Sequence, residues 1–495
     1  MPKERWRRPG TTELLAIGVA AFFDPMTLWA SNLAEIGWPD GVVLWSLLVW
    51  VGGLGLWALL VRVGMEAGAA MAAVVVVLLG MGDARWMMSD AMPGGPAVAF
   101  FALVVAAAVV AALFRFGAMR WIVIWLVVYL AVAPFANAVT AWMTGDASLE
   151  PLAEVPPLRF AERPDVVVVV FDALGSPRVL EADYGIAPGA FDALRRRGLV
   201  VPPAFEANYT LTHVSLASFF RMDYPVEAGV SVGEAEWKEL MAVINGANPL
   251  VDTFKANGYR FVLVESGWSG VHCTASADLC VRGGWPDDAA STAISNSVVG
   301  FARVWNPESG PVGARRSIGW LRSDLVPYLE DGVPDLIFLH LLMPHPPVRL
   351  DPTCQPRDDG GEGLTVLSFP GIGRSETSTR RSLYRDQVDC ALRTVGELAE
   401  LVGDRGIFVA VGDHGPDSRM QLFTPPELWS ETAVVERFGA FLATNARGCG
   451  WSEVGTLVNV GRRLLSCLSG TDVPPLGDRR FIVVQELPLV EISPG

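Results

Sequence analysis

No cysteine occurs before residue 273, and the six that follow (Cys273, Cys280, Cys354, Cys390, Cys449 and Cys467) include no CxxC pair. A structural zinc knot built on paired cysteines is thereby excluded. An even number confined to one region instead points to an oxidising compartment, with sequence neighbours joined: 273 with 280, 354 with 390, and 449 with 467. Basic charge is also short, at 38 Lys and Arg against 53 Asp and Glu, a net charge of −15. With no basic stripe to meet phosphates, nucleic acid is excluded as a partner. Internal repeats are absent, and so is any long low-complexity tract beyond the apolar runs.

What the first 145 residues do contain is Ala, Val, Leu, Trp and Gly in long runs. Five membrane spans are expected, at roughly 12–34, 41–63, 66–82, 96–115 and 121–142, each near the ~20 residues that a bilayer core needs. Glu13 and Asp24 interrupt the first, and Pro25 beside Asp24 predicts a kink facing other helices. Lys3, Arg5, Arg7 and Arg8, then Arg62, Arg115 and Arg120, fall on one side of these spans, while the opposite loops before the last span hold only Arg85. The positive-inside rule therefore puts the N-terminus in the cytoplasm and everything after residue 145 outside, in agreement with the cysteines. The domain expectation is a five-span transmembrane region at 1–145, a Pro-rich and charged linker at 146–163, and an extracytoplasmic catalytic domain at 164–495.

Residues 166–171 (Val-Val-Val-Val-Val-Phe) form an apolar run that reads as a strand buried on both faces. It stops at Asp172, and Gly175 with Pro177 turns the chain into a helix. Asp172 is either a cap for that helix or a ligand at the carboxyl edge of a parallel sheet. Further strands are expected at 260–264, 335–339 and 406–411, and helices near 212–221, 235–245 and 380–402. The alternation implies an α/β domain with a mainly parallel sheet and helices on both faces.

Two of the later runs also end in ligand-type residues: one leads into His340-Leu-Leu-Met-Pro-His345-Pro-Pro, the other into Gly412-Asp413-His414-Gly415. Asp172, Asp413 and His414 are a donor set for a divalent metal ion, with Mn, Mg, Ca and Zn all compatible. Asn208-Tyr209-Thr210-Leu211-Thr212-His213-Val214-Ser215 places hydroxyls just before an apolar helix, as an N-cap or as a nucleophile at an anion-favouring helix start. Thr210 and Thr212 both qualify. Asn208-Tyr209-Thr210 fits the glycosylation sequon as well. Arg178 and Arg221 are further anion-binding candidates, although surface arginines are common.

At these residues the chain resembles the sulfatase and alkaline-phosphatase superfamily, and within it the membrane-anchored lipoteichoic acid synthases and lipid A phosphoethanolamine transferases. Val-Phe-Asp172-Ala-Leu-Gly looks like the first metal-ligand motif, and Thr212-x-x-Ser215 like the nucleophile motif. His340-x-x-x-x-His345-Pro-Pro is similar to the substrate or second-metal histidines, and Gly-Asp413-His414-Gly to the paired ligands. Tyr384-Arg-Asp-Gln387-Val resembles a helix segment common in sulfatase-like proteins, with a structural role. The resemblance implies an alkaline-phosphatase-like fold and a metal site of Asp172, Thr212, Asp413 and His414. It also implies catalysis by Thr212, His345 and His340 on a lipid-linked or cell-envelope phosphoester, at the outer face of the cytoplasmic membrane. The C/S-x-P-x-R motif that yields formylglycine in true sulfatases is absent, which favours phosphoryl chemistry over sulfate-ester hydrolysis. No histidine follows His414, and Asp172 stands where the transferases usually carry Glu. A sulfatase of the same fold and a catalytically inactive envelope scaffold are the competing expectations.

Overall fold

The computed structural model describes residues 9–31, 40–79, 95–113, 157–265, 270–282, 323–346, 350–355, 374–419, 424–484 and 487–492, with Trp121, Trp125, Tyr129, Leu149, Trp268, Gly319 and Val348 singly between them. The chain divides into two compact units, one within Met1–Thr144 and the other within Gly145–Gly284 and Glu308–Gly495.

The first unit is helical. Helices α1 (Thr11–Ser31), α2 (Asp40–Arg62), α3 (Ala67–Leu79) and α4 (Gly95–Leu113) fall on four of the five expected spans, and the fifth lies largely outside the described residues. Among the described residues one stretch, Val42–Arg62, is a helix long and apolar enough to cross a membrane; shorter apolar helices occupy Thr11–Phe23, Ala67–Leu79 and Val104–Leu113. Pro25 does lie inside α1. Leu44, Leu48, Val51 and Leu59 of α2 point outward, while Ile17, Trp57, Ala70, Met71 and Val74 pack together inside. An apolar outer face around a packed apolar interior suits a lipid surround.

The second unit is a three-layer α/β domain. Its strands are β1 (Asp165–Phe171), β2 (Arg260–Val264), β3 (Leu279–Val281), β4 (Asp335–Leu341), β5 (Gly406–Val411) and β6 (Leu442–Thr444), in the order β3-β2-β4-β1-β5-β6. All pairings are parallel except that of β6 with β5. The valine run of β1 is the central strand, and both of its faces are buried, as its composition requires. Val166, Val168 and Val170 meet one core, built with α7 (Thr212–Arg221), α8 (Glu234–Ile244), α9 (Pro249–Ala256) and α13 (Val458–Ser469). Val167, Val169 and Phe171 meet the other, built with α5 (Pro177–Tyr184), α6 (Pro188–Arg196), α10 (Leu325–Glu330) and α11 (Arg374–Val402). Helix α12 (Glu431–Phe438) precedes β6, and a small hairpin of β7 (Arg480–Ile482) and β8 (Val490–Ile492) follows α13.

Three disulfides join Cys273 to Cys280, Cys354 to Cys390 and Cys449 to Cys467, which are the sequence-neighbour pairs. The sequon asparagine is not a surface residue. Asn208 is fully buried, donating to the Arg479 carbonyl (2.9 Å) and accepting from Val458 N (2.8 Å), so it fastens the start of α13 and leaves no room for a glycan.

Candidate active site

The sheet register makes the strand ends converge. Val170 of β1 pairs with His340 of β4 on one side and Val411 of β5 on the other. Asp172 and Asp413 each stand two residues beyond that row, and alternation of side chains carries them to the face where His340 already lies. That face is the one α7 covers, and its first residue is Thr212.

The four elements place their polar atoms together. His414 Nε2 is 3.2 Å from Asp413 Oδ2 and 3.6 Å from Asp172 Oδ1, and His340 Nε2 is 3.4 Å from Asp172 Oδ2. Thr212 Oγ1 lies 3.0 Å from His414 Nε2. Donor atoms of Asp172, Asp413 and His414 all fall within 4.8 Å of one another. A second group of close donors, Glu265 with Cys273 and Cys280, has its two sulfurs joined in a disulfide. Thr210 is the buried threonine of the pair: its hydroxyl donates to Val483 O (3.0 Å) and accepts from Val483 N (2.8 Å), whereas Thr212 is only half-buried.

Protonation in this cluster follows from its neighbours. The Nδ1–H of His414 donates to the Gly415 carbonyl at 3.0 Å, which leaves a lone pair on Nε2. Burial, and then the Arg437 guanidinium, hold His414 well below the usual imidazole range, so it is neutral. Burial alone raises the Asp172 carboxyl, but His345 and then His340 beside it outweigh that and hold it well below the usual carboxylate range. Asp413 is pushed up to about 6 by burial and by Asp172 next to it. Two carboxylates and an imidazole lone pair thus face one another, and Asp172 Oδ1 and Asp413 Oδ2, both buried, accept no hydrogen bond. Buried acceptors without donors cost about 1–3 kcal/mol each, and a divalent cation is the group that satisfies an O,O,N set of this kind. The residues fit a metal.

His345 is half-buried on the loop after β4; its backbone N–H donates to Asp172 O (3.0 Å), and its ring centroid is 6.4 Å from that of His414. His340, by contrast, is fully buried, with its ring 4.8 Å from that of Trp268. Arg221 sits at the C-terminal end of α7 and is buried, and Arg178 is exposed on α5.

The loops that carry these groups are held by residues with no reactive role. Ala173 has a left-handed backbone (φ 62°) and donates its N–H to Asp413 Oδ1 at 3.0 Å. Tyr384 of α11 donates to the Ala173 carbonyl (2.6 Å) and accepts from Gly175 N (3.3 Å). Three residues further on, Gln387 donates to the His345 carbonyl (3.3 Å) and accepts from Leu350 N (3.2 Å). The Tyr-x-x-Gln spacing on one helix face therefore fixes both the Asp172 loop and the His345 loop.

Neither Gly412 nor Gly415 has a positive φ. They are needed for close approach: a Cβ on Gly412 would stand 2.2 Å from the Leu174 carbonyl oxygen, and one on Gly415 2.0 Å from that of Glu436. Sequence reasoning missed Arg437, which lies far from any motif. It also missed Trp237 and Trp268, whose rings meet that of His213 edge-on at 4.4 and 5.0 Å, beside Thr212.

No family model matches the chain, and no curated protein matches it. Among solved structures it is similar to the C-terminal periplasmic domain of EcEptC from Escherichia coli in complex with Zn, at 14% identity and a TM-score of 0.44, over 68% of this chain and 96% of that one. It is similar to the integral membrane protein lipooligosaccharide phosphoethanolamine transferase A (EptA) from Neisseria meningitidis, at 12% identity and a TM-score of 0.40, over 93% of this chain and 96% of that one. The phosphonate monoester hydrolase SpPMH from Silicibacter pomeroyi is similar at 12% identity and a TM-score of 0.43, over 63% of this chain and 74% of that one.

Proposed function

We propose that this protein is a membrane-anchored, metal-dependent enzyme of the sulfatase-like type that cleaves or transfers phosphoester-linked groups, with Thr212 as the nucleophile. The observation that carries the reading is the buried meeting of Asp172, Asp413 and the neutral His414, with the Thr212 hydroxyl 3.0 Å from the histidine. Asp172, Asp413 and His414 would hold a divalent cation, with Thr212 as a fourth donor. When bound, such a cation polarises a phosphoryl oxygen and favours the threonine alkoxide.

The chain's own residues supply the remainder. Thr212 opens a ten-residue helix whose first N–H groups point at the incoming anion. Its hydroxyl proton passes to solvent at this half-buried position, Oγ1 attacks phosphorus, and a bond to phosphorus forms as the ester oxygen departs, leaving a phosphothreonine. His345 is the proposed proton donor to that oxygen, and its half-buried ring suits exchange with solvent. Water or an acceptor alcohol then takes the phosphoryl group and restores Thr212. His340, against Asp172, holds the carboxylate in place.

The domain arrangement proposed is a multi-pass transmembrane region at 1–145, a linker at 146–163 and a catalytic domain at 164–495 on the outer face of the cytoplasmic membrane. Three disulfides in the second unit support an oxidising location, and the substrate there would be a lipid-linked or other envelope phosphoester. The test is the intact mass of the detergent-purified chain after incubation with Zn2+ or Mn2+ and nitrophenyl phosphate. A phosphoryl increment on wild type and none on Thr212→Ala is expected. Turnover of the ester by Thr212→Ala at the wild-type rate would refute the threonine route, and faster turnover of nitrophenyl sulfate than of the phosphate would replace the phosphoester with a sulfate ester.

A further inference from the structure

Arg437, on α12, is buried, yet among the described residues it makes no ion pair. Taking a guanidinium out of water costs several kcal/mol unless good partners replace the solvent. Here the hydrogen-bond partners are backbone carbonyls, while the carboxylates of Asp417, Asp413, Asp172 and Glu436 favour the charge without pairing directly with it. Nε donates to Thr210 O at 2.9 Å, Nη2 donates to the same oxygen, and Nη1 donates to Gly415 O at 2.9 Å. The main chain adds one more bond between the same segments, Gly415 N to Arg437 O at 2.8 Å. The carboxylate of the adjacent Glu436, also buried, takes Tyr184, Ser418 and Arg419 instead and bonds neither Thr210 nor Gly415.

Thr210 lies two residues before the candidate nucleophile, and Gly415 follows the candidate ligands Asp413 and His414. One planar fork thus spans two segments 205 residues apart in sequence, and its fixed donor geometry sets the distance between them. Gly415 O also accepts the Nδ1–H of His414, so the oxygen that Arg437 holds is the one that orients the histidine ring.

We infer that Arg437 is a positioning residue, locking the Thr212 segment against the Asp413–His414 pair so that hydroxyl and ligands keep a single spacing. The inference rests on the proposed function for its kinetic arm. A second arm, affinity for Zn2+ alone, does not need turnover.

The experiment uses the full chain in detergent, comparing wild type with Arg437→Ala, Arg437→Lys and Glu436→Gln. Zn2+ affinity is read by competition with a chromophoric chelator, kcat and KM with nitrophenyl phosphate, and folding by thermal melting. Removing a group that orients ligands typically costs 10–100-fold in metal affinity or activity. That loss is expected for Arg437→Ala in both Zn2+ affinity and kcat with KM little changed, and added guanidinium at sub-denaturing concentration should recover part of it where sodium at equal ionic strength does not. Arg437→Lys keeps the charge but cannot reach both carbonyls, so it should fall between. Glu436→Gln should lower the melting temperature alone. Folded Arg437→Ala with wild-type Zn2+ affinity overturns the inference, as does an equal loss in Glu436→Gln or a loss that guanidinium leaves untouched. A wild type that binds Zn2+ but turns over no ester refutes the proposed function while the affinity arm still decides the role of Arg437; one that binds no Zn2+ overturns both.

Discussion

The metal-free protein should become more stable when one of its candidate ligands is removed. Asp413 titrates at about 6 in the folded chain against an ordinary 3.8. Its ionised form is disfavoured by burial and by Asp172, so above pH 6 the folded state carries a penalty that the unfolded state does not. The sign follows: the Asp413 contribution to stability of the metal-free protein rises as pH falls from about 6 to about 4, where the folded carboxyl takes up its proton, and is flat below that. Asp172, held far lower, does not titrate in that window. At 1.36 kcal/mol per pH unit the ceiling on the penalty is about 3 kcal/mol. Asp413→Asn removes the charge, keeps an oxygen for Ala173 N, and places an NH2 donor where Oδ2 stood, 3.2 Å from the His414 lone pair. A gain of about 1–3 kcal/mol at pH 7.5 is expected in EDTA, at about 2–4 °C per kcal/mol for a 150–250-residue domain and somewhat less for a larger one. Thermal melts of wild type and Asp413→Asn, in EDTA and in Zn2+, at pH 5 and 7.5, decide it. Zn2+ should raise the wild-type melting temperature and leave the variant unmoved. A variant less stable than wild type in EDTA at pH 7.5, or one that Zn2+ stabilises as strongly as wild type, refutes the reasoning.

Asp165, at the opposite end of β1, is pushed up to about 6 by burial, with the Asp335 carboxylate adding to it and the hydrogen bond from Asp335 N opposing it. Asp165→Asn should therefore gain about 1 kcal/mol at pH 7.5 and nothing at pH 4, with or without metal, in the same melting assay; equal gains at both pH values would rule out the charge as the cause. Tyr384→Phe leaves the Ala173 carbonyl and the Gly175 N–H without the phenolic oxygen, a loss of about 2–6 kcal/mol at 1–3 kcal/mol per buried orphan. Because that loop carries Asp172, Zn2+ affinity should fall along with the melting temperature, and unchanged affinity would show that Asp172 is held by other means.

The parts of the fold that the sequence made legible are those whose environment is uniform. A strand covered on both faces must be apolar throughout, so β1 and β5 stand out, and a polar residue directly after such a run can only lie at the sheet edge. The strands β3 and β6, three residues each, are too short to show any period. Arg437 was illegible for a different reason: its partners are main-chain oxygens, which carry no residue-type signal. The hydroxyl-rich stretch at 208–215 was ambiguous because buried and half-buried threonines share one letter. Burial of Thr210 against Val483, through a contact 273 residues away, is a property of the tertiary fold.

The candidate ligands stand at positions 172, 212, 413 and 414, just after β1, at the start of α7 and just after β5, so bringing them together requires most of the second unit. No stretch of the growing chain shorter than about 240 residues contains Asp172 together with the Asp413–His414 pair. Such long-range pairings form late, after the loop entropy between them has been overcome. A metal therefore meets at most two of its ligands until β5 docks beside β1, and partly folded chains present no complete coordination sphere. On the proposed metal site, capture of the ion would then report that β5 has docked beside β1.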